Sequence, residues 1–309
     1  MTKKILVATE KPFAPDAISQ MKKVIADKSD YAIELLEKYT EVSQFKDAVK
    51  DADALIIRSD KATREVMDAA QKLKIIVRAG AGYDNIDLAA ASEKNIVAMN
   101  TPGQNSNAVA ELALGMMVYM ARCKFNGKSG SELLGKKIGI HAYGNVGKAV
   151  ARIAKGFGME VYAFDPFVAA DKIEADGVKV VGSVEELYRT CHYVSLHIPA
   201  NDKTKKSINF DLLNSMPKGA VLVNTARKEV ICEESMKKIL AARNDFKYVS
   251  DIAPDCAEEL NKDFADRVYF TPKKMGAQTE EANINAGVAA VEQIVAYFEN
   301  GDTTFQVNK

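Results

Sequence analysis

The stretch KKIGIHAYGNVGKAVARIAKGFGMEVYAFDPF, residues 136–167, reads as a strand, a tight turn, a helix and a second strand. Gly144 and Gly147 take the second and third glycine positions of G-x-G-x-x-G, with Ala142 at the first. The second strand ends in Asp165, eighteen residues past Gly147. A lone GxxG says little, but one that follows a strand, opens a helix and precedes such an acid reads as a dinucleotide-binding βαβ unit. Gly144 lets the backbone approach a pyrophosphate. Around it Tyr143, Asn145 and Val146 form the turn and the first helical residues, which present free N–H groups and the positive end of the helix dipole. Asp165 accepts hydrogen bonds from an adenosine ribose and repels a 2′-phosphate, so NAD is expected rather than NADP. Ala142 departs from the pattern, because a glycine usually makes the tight turn.

The same α/β alternation extends in both directions. The segments KILVAT, ALIIRS, KIIVRAG and NIVAMN before it, and KKIGIHA, MEVYAFD, YVSLHIP, AVLVNTA, KYVSDIA and VYFTP from 136 onward, read as short apolar strands. Amphipathic helical stretches lie between them, the pattern of parallel sheets. One apolar helix is predicted from Asn107 to Phe125, and a last helical run begins at Glu280. A length of 309 residues suits about two domains, so two α/β domains with the functional site in a cleft are expected.

Composition narrows the function classes. Basic and acidic residues balance at 42 each, which gives no electrostatic footprint for nucleic acid or a membrane surface. The start, MTKKILVATEKPF, is a first strand rather than a signal peptide. The longest nearly apolar run, residues 112–121, is about half of what a membrane span needs. Four scattered cysteines without CxxC spacing or neighbouring histidines argue against a disulfide framework or a metal site, and suit a reducing cytoplasm.

Beyond the nucleotide loop, several blocks occur in a telling order: IIRSDKAT (56–63), IVRAGAGYDNID (76–87), NTPGQNSNAVAELALGMM (100–117), VSLHIPA (194–200), VNTARKEVI (223–231) and PKKMGAQTEEA (272–282). Together they resemble the D-isomer-specific 2-hydroxyacid dehydrogenases over nearly the whole chain. The resemblance implies two Rossmann-like, doubly wound domains, with the nucleotide domain (105–282) inserted into a substrate domain (1–104 and 283–309). It implies that Arg227 is catalytic, its planar fork taking the carboxylate and the adjacent oxygen of a 2-hydroxy or 2-oxo acid. Ala79 and Gly80 would offer backbone N–H groups to that carboxylate, and Asn105 and Ser106 would face the cleft. His197, Pro199, Thr225, Ala226 and Asp251 match positions that line the cofactor. Arg58, Ser59 and Arg78 stand where the phosphoglycerate branch of the family binds a phosphate, and two guanidinium groups converging on a dianion make a sensible clamp.

Relatives usually carry a catalytic histidine in the block that here reads PKKMGAQTEEA, paired with a glutamate upstream. None of His141, His192 and His197 lies in that block. Counting back from GAQTEEA puts Lys274 in the histidine's slot after one extra residue, with Lys273 beside it as the alternative. Counting forward from Asp251 puts Cys256 in the glutamate's slot, with Asp255, Glu258 and Glu259 nearby. A carboxylate raises the pKa of its neighbour, which helps a histidine starting near 6.5 and hinders a lysine starting near 10.4. Loss of both partners together is therefore coherent.

The resemblance implies NAD-dependent oxidation of D-3-phosphoglycerate to 3-phosphohydroxypyruvate, the entry to serine, by a cytoplasmic homodimer, with the helix from Asn107 to Phe125 either the dimer element or interdomain core. Another 2-hydroxyacid dehydrogenase, such as a hydroxypyruvate or glyoxylate reductase, and a non-catalytic NAD-sensing protein are the alternatives. With the sequence stopping at ENGDTTFQVNK, no appended regulatory domain is expected.

Overall fold

A computed structural model describes residues 2–309. The chain divides into two compact units, Met1–Asn105 with Thr279–Lys309, and Ser106–Gln278.

In the first unit β1 (Lys3–Thr9), α1 (Pro15–Val24), β2 (Tyr31–Glu37), α2 (Val42–Val49), β3 (Ala54–Ile57), α3 (Arg64–Ala69), β4 (Ile75–Arg78), α4 (Leu88–Glu93) and β5 (Val97–Asn100) follow in order. The sheet is wholly parallel, in the order β2-β1-β3-β4-β5. Strand β3 is buried at every position, as a central strand covered by helices on both faces must be. Strand β2, YAIELLE, lies at the edge with most of its residues at least partly exposed. Its mixed pattern hides it from a search for apolar runs.

The second unit runs α5 (Ser106–Ala121), β6 (Lys137–His141), α6 (Asn145–Gly156), β7 (Glu160–Phe164), α7 (Ala170–Glu174), β8 (Lys179–Val180), α8 (Val184–Thr190), β9 (Tyr193–Leu196), α9 (Phe210–Ser215), β10 (Val221–Asn224), α10 (Glu233–Ala242), β11 (Lys247–Ser250), α11 (Ala257–Phe264) and β12 (Val268–Phe270). Its parallel sheet has the order β12-β11-β10-β9-β6-β7-β8. Strand direction of travel reverses between β6 and β9, the topological switch point at which such sheets bind ligands beyond the carboxyl ends of the strands. The chain then returns to the first unit as α12 (Glu280–Asn300), which packs on α1. A Cβ at Gly287 of α12 would lie 2.8 Å from Met21 Sδ of α1, so the helices pack closely here and a larger residue would make the Met21 side chain shift.

The helix predicted from Asn107 to Phe125 stops at Ala121. Cys123, Lys124 and Phe125 turn left-handed, with φ of 50°, 57° and 56°. Lys124 Nζ donates to the carbonyls of Ala265 and Val268, a tertiary contact that takes the chain out of the helix. Ten of the sixteen residues of α5 are buried, packed into the core of the second unit with α6.

Candidate active site

The turn after β6 is set by three small residues. Ala142 sits at φ 82°, in the left-handed region that favours glycine. Gly147 lies so close beneath it that a Cβ would come within 2.4 Å of the Ala142 carbonyl oxygen. Gly144 is the N-cap of α6, and a Cβ there would meet no protein atom within 4 Å. The first turn of α6 has no side-chain cap, so its N–H groups face an open cradle of the kind that takes a pyrophosphate. The Asp165 carboxylate is held at the end of β7 by the N–H groups of Tyr143 (2.7 Å) and Phe167 (2.8 Å). Tyr143 itself is buried and donates its hydroxyl to Asp176 at 3.0 Å, so it shapes the turn through its backbone. These residues fit a dinucleotide. Replacing Ala142 with glycine relieves a left-handed alanine and should raise unfolding stability by about 1 kcal/mol, measured by denaturant melts of the two proteins.

Two neighbouring strand ends organise the chemistry. Asn224 closes β10 and is 1% exposed. Its Oδ1 accepts from the Ala226 N–H at 2.9 Å, and its Nδ2 donates to the Arg227 carbonyl at 3.0 Å. That wraps the loop so that Arg227 leaves it half-buried, with Nη1 donating to the Ala226 carbonyl at 3.0 Å. Asp251 follows β11, and its N–H donates to the Asn224 carbonyl at 2.9 Å. Its carboxylate is buried, accepting from the Met275 N–H at 2.7 Å and the Gly276 N–H at 2.9 Å. The Thr271 hydroxyl lies 2.6 Å from its carbonyl and 3.1 Å from Oδ1. Asp251, expected to line the cofactor, thus fixes both ends of the segment that carries Lys273 and Lys274. Gly276 has to be glycine, because a Cβ would come 2.9 Å from Asp251 Oδ2 and 3.2 Å from Val109.

No histidine enters this arrangement. His141, read from the sequence as part of the nucleotide loop, is the last residue of β6, and burial pushes its pKa down to about 4. His197 has Nε2 3.0 Å from Ser195 Oγ and Nδ1 3.5 Å from Thr225 Oγ1. Burial, with His141 nearby, pushes it down to about 3. Both imidazoles are neutral throughout the working range. Pro199 and Thr204 follow, the Thr204 hydroxyl donating to the Pro199 carbonyl at 2.5 Å. The carboxylates near Cys256 are engaged elsewhere or exposed: Asp255 pairs with Lys228, Glu259 with Lys237 at 2.8 Å, and Glu258 lies on the exposed face of α11. Glu233 accepts from the N–H groups of Asp255 and Cys256, which ties α11 to α10.

In the first unit Arg58 and Arg78 leave adjacent strand ends, followed by Ser59 and Ala79. Arg78 Nε donates to the Arg58 carbonyl at 3.0 Å, which folds the side chain back over Gly80; a Cβ there would meet Arg78 Nη1 at 1.6 Å. The Arg58 guanidinium packs 4.9 Å from the centre of the Phe13 ring and donates to the Pro12 carbonyl and to Asn283 Oδ1. Among the described residues no carboxylate lies within 4.0 Å of it. One expectation needs correction. The N–H of Ala79 donates to Ile57 at 2.8 Å and that of Gly80 to Arg78 at 2.8 Å, so neither is available to a substrate carboxylate. The first continues the β3–β4 ladder; the second closes a tight turn. Asn105 ends the first unit and Ser106 opens α5. Sequence reasoning missed Asn224 and Asn283, whose roles appear only in what their amides touch.

Residues 110–272, more than half of the chain, match the family model for the D-isomer specific 2-hydroxyacid dehydrogenase NAD binding domain. The chain belongs to the D-isomer-specific 2-hydroxyacid dehydrogenases. Among similar members, D-3-phosphoglycerate dehydrogenase of Methanocaldococcus jannaschii is 36% identical over 85% of this chain and 54% of its own length. Hydroxypyruvate reductase of Thermotoga maritima is also 36% identical, over 85% of this chain and 90% of its own. The chain thus spans about half the length of several phosphoglycerate dehydrogenase relatives. The crystal structure of NAD+-bound 3-phosphoglycerate dehydrogenase from Entamoeba histolytica superposes with a TM-score of 0.88 at 44% identity, covering 100% of this chain and 99% of that chain. No helix among its described residues is long and apolar enough to cross a membrane.

Proposed function

We propose that this dehydrogenase oxidises D-3-phosphoglycerate to 3-phosphohydroxypyruvate with NAD, the first step of serine biosynthesis. The observation that carries the choice of substrate is the Arg58 guanidinium, oriented by neutral groups and with no carboxylate within 4.0 Å among the described residues, Arg78 being anchored on the Arg58 carbonyl. A guanidinium in that state keeps its charge for an anion such as a phosphate. The Gly144–Gly147 turn and Asp165 would hold the dinucleotide, which supplies the hydride acceptor when bound. Arg227 takes the substrate carboxylate and the oxygen on C2. Lys274, as the free amine, accepts the hydroxyl proton while C2 gives up its hydride; in the reverse reaction its ammonium returns that proton.

A second reading is a hydroxypyruvate reductase, favoured by the relative of that name at equal identity. The test follows NADH absorbance with D-3-phosphoglycerate and NAD at pH 9, with D-glycerate and D-lactate as controls and 3-phosphohydroxypyruvate with NADH for the reverse. Turnover confined to the phosphorylated pair is the expected result. Equal or better turnover of the unphosphorylated acids would support the reductase. NAD binding without turnover of any substrate would leave only a sensing role. The reading also includes a cytoplasmic location and a homodimer, the latter supported by exposed Phe125, Leu134 and Phe157 on the second unit, two of them more than 60% exposed.

A further inference from the structure

Asn283 lies in the first turn of α12, four residues after the N-cap Thr279. Its Nδ2 donates to the Thr279 carbonyl at 2.7 Å. That bond fixes which way the amide faces, since the nitrogen is committed to its own helix and Oδ1 is left for Arg58 Nη2. The other neighbours of the guanidinium are the Pro12 carbonyl and the Phe13 ring, both uncharged. The carboxylate whose field reaches Arg58 is that of Asp60, and it is occupied by the Glu10 N–H and the Tyr39 hydroxyl, each at 2.7 Å. The half-buried Arg58 is therefore oriented by uncharged groups, with no carboxylate within 4.0 Å among the described residues.

We infer that Asn283 is a specificity-determining residue, which aims the Arg58 guanidinium while leaving its positive charge available to the substrate phosphate. The inference rests on the phosphate-clamp reading above. Its core is the difference between an amide and a carboxylate of the same shape. An aspartate at position 283 would sit at ion-pair distance from the guanidinium, accept from it in a charge-assisted bond and cancel its pull on a dianion. An aspartate turns an oxygen toward the Thr279 carbonyl to which Asn283 Nδ2 donates; the helix dipole, which favours an acid in the first turn, offsets part of that cost.

The experiment compares wild type, Asn283→Asp, Asn283→Ala and Arg58→Gln in the reduction of 3-phosphohydroxypyruvate and of hydroxypyruvate by NADH. Inorganic phosphate is titrated as a competitive inhibitor of the same reactions. Loss of a hydrogen-bonded charge contact corresponds to about a 10- to 100-fold change. Asn283→Asp should lower the kcat/KM ratio of phosphorylated to unphosphorylated substrate by that factor, chiefly through KM, and should weaken phosphate inhibition in parallel. Asn283→Ala, which removes the aim but adds no charge, should lose less selectivity. An Asn283→Asp enzyme with unchanged selectivity, or one equally damaged toward both substrates, overturns the inference provided that Arg58→Gln still loses selectivity. If Arg58→Gln keeps wild-type selectivity, the clamp itself falls and the role of Asn283 with it.

Discussion

Lys274→Ala should lower turnover by about 10²- to 10⁴-fold, the usual contribution of a positioned acid–base group, while NAD affinity stays within about threefold. The parallel Lys273→Ala substitution should stay close to wild type, because the loop is fixed at Met275 and Gly276, immediately after Lys274. Kinetics should carry the same signature. His141 and His197 are held neutral down to about 4 and 3, so neither supplies a step between pH 5 and 8. In the proposed mechanism alcohol oxidation needs Lys274 as its free amine, so the rate of hydride transfer should rise with pH as the ammonium is lost. Reduction of the oxo acid needs the ammonium and should fall over the same range. Single-turnover measurements from pH 6 to 10 read both limbs. A flat oxidation profile with hydride transfer limiting, or an active Lys274→Ala enzyme, would remove Lys274 from the mechanism and point to Lys273 or to a water chain.

Arg227→Lys is the second severe substitution, although the charge is conserved. A lysine presents a point charge where a carboxylate and its neighbouring oxygen call for a planar fork. A loss of about 10²- to 10³-fold in kcat/KM is expected, the magnitude typical of a preorganised donor removed from a reacting oxygen, with kcat falling as well as KM rising. NAD affinity, measured by fluorescence titration, should hold. Added guanidinium should restore part of the activity of Arg227→Ala, since the Asn224 amide holds the backbone around that position independently of the Arg227 side chain. A loss below tenfold, or a loss of NAD binding of the same size as the loss of rate, would mean that Arg227 does not engage the substrate.

What the sequence made legible was local. The run from Lys136 to Phe167 declares its structure because each signal acts on its immediate neighbours: Gly147 must be small against the Ala142 carbonyl, and Asp165 lies one strand away from the turn that it braces. Lys274 was legible as a residue standing in a recognisable frame. Features decided by distant partners were not. Strand β2 has no apolar run because it lies at an edge, and α5 ends where Lys124 reaches carbonyls about 140 positions later. The N–H groups of Ala79 and Gly80 looked available until the ladder to β3 and the turn at Arg78 claimed them. Asparagine is the hardest case, because its amide can serve any partner. Nothing in the letters distinguishes Asn224 and Asn283 from asparagines on the surface.

The anchoring of the two cation-bearing loops has a metrical consequence. Asn224 and Asp251 stand at the ends of β10 and β11, which are paired side by side. The lateral spacing of their moorings is therefore that of adjacent strands, about 4.8 Å, and is dictated by the hydrogen-bond ladder rather than by either loop. Thr271 and Met275 are both tied to Asp251, so the chain between them is a short bridge with fixed abutments. An added residue in that span has to arch outward and cannot shift the abutments themselves. The residue type at positions 273 and 274, and even the position of a side chain by one residue, can therefore change while the gauge between the two loops stays the same.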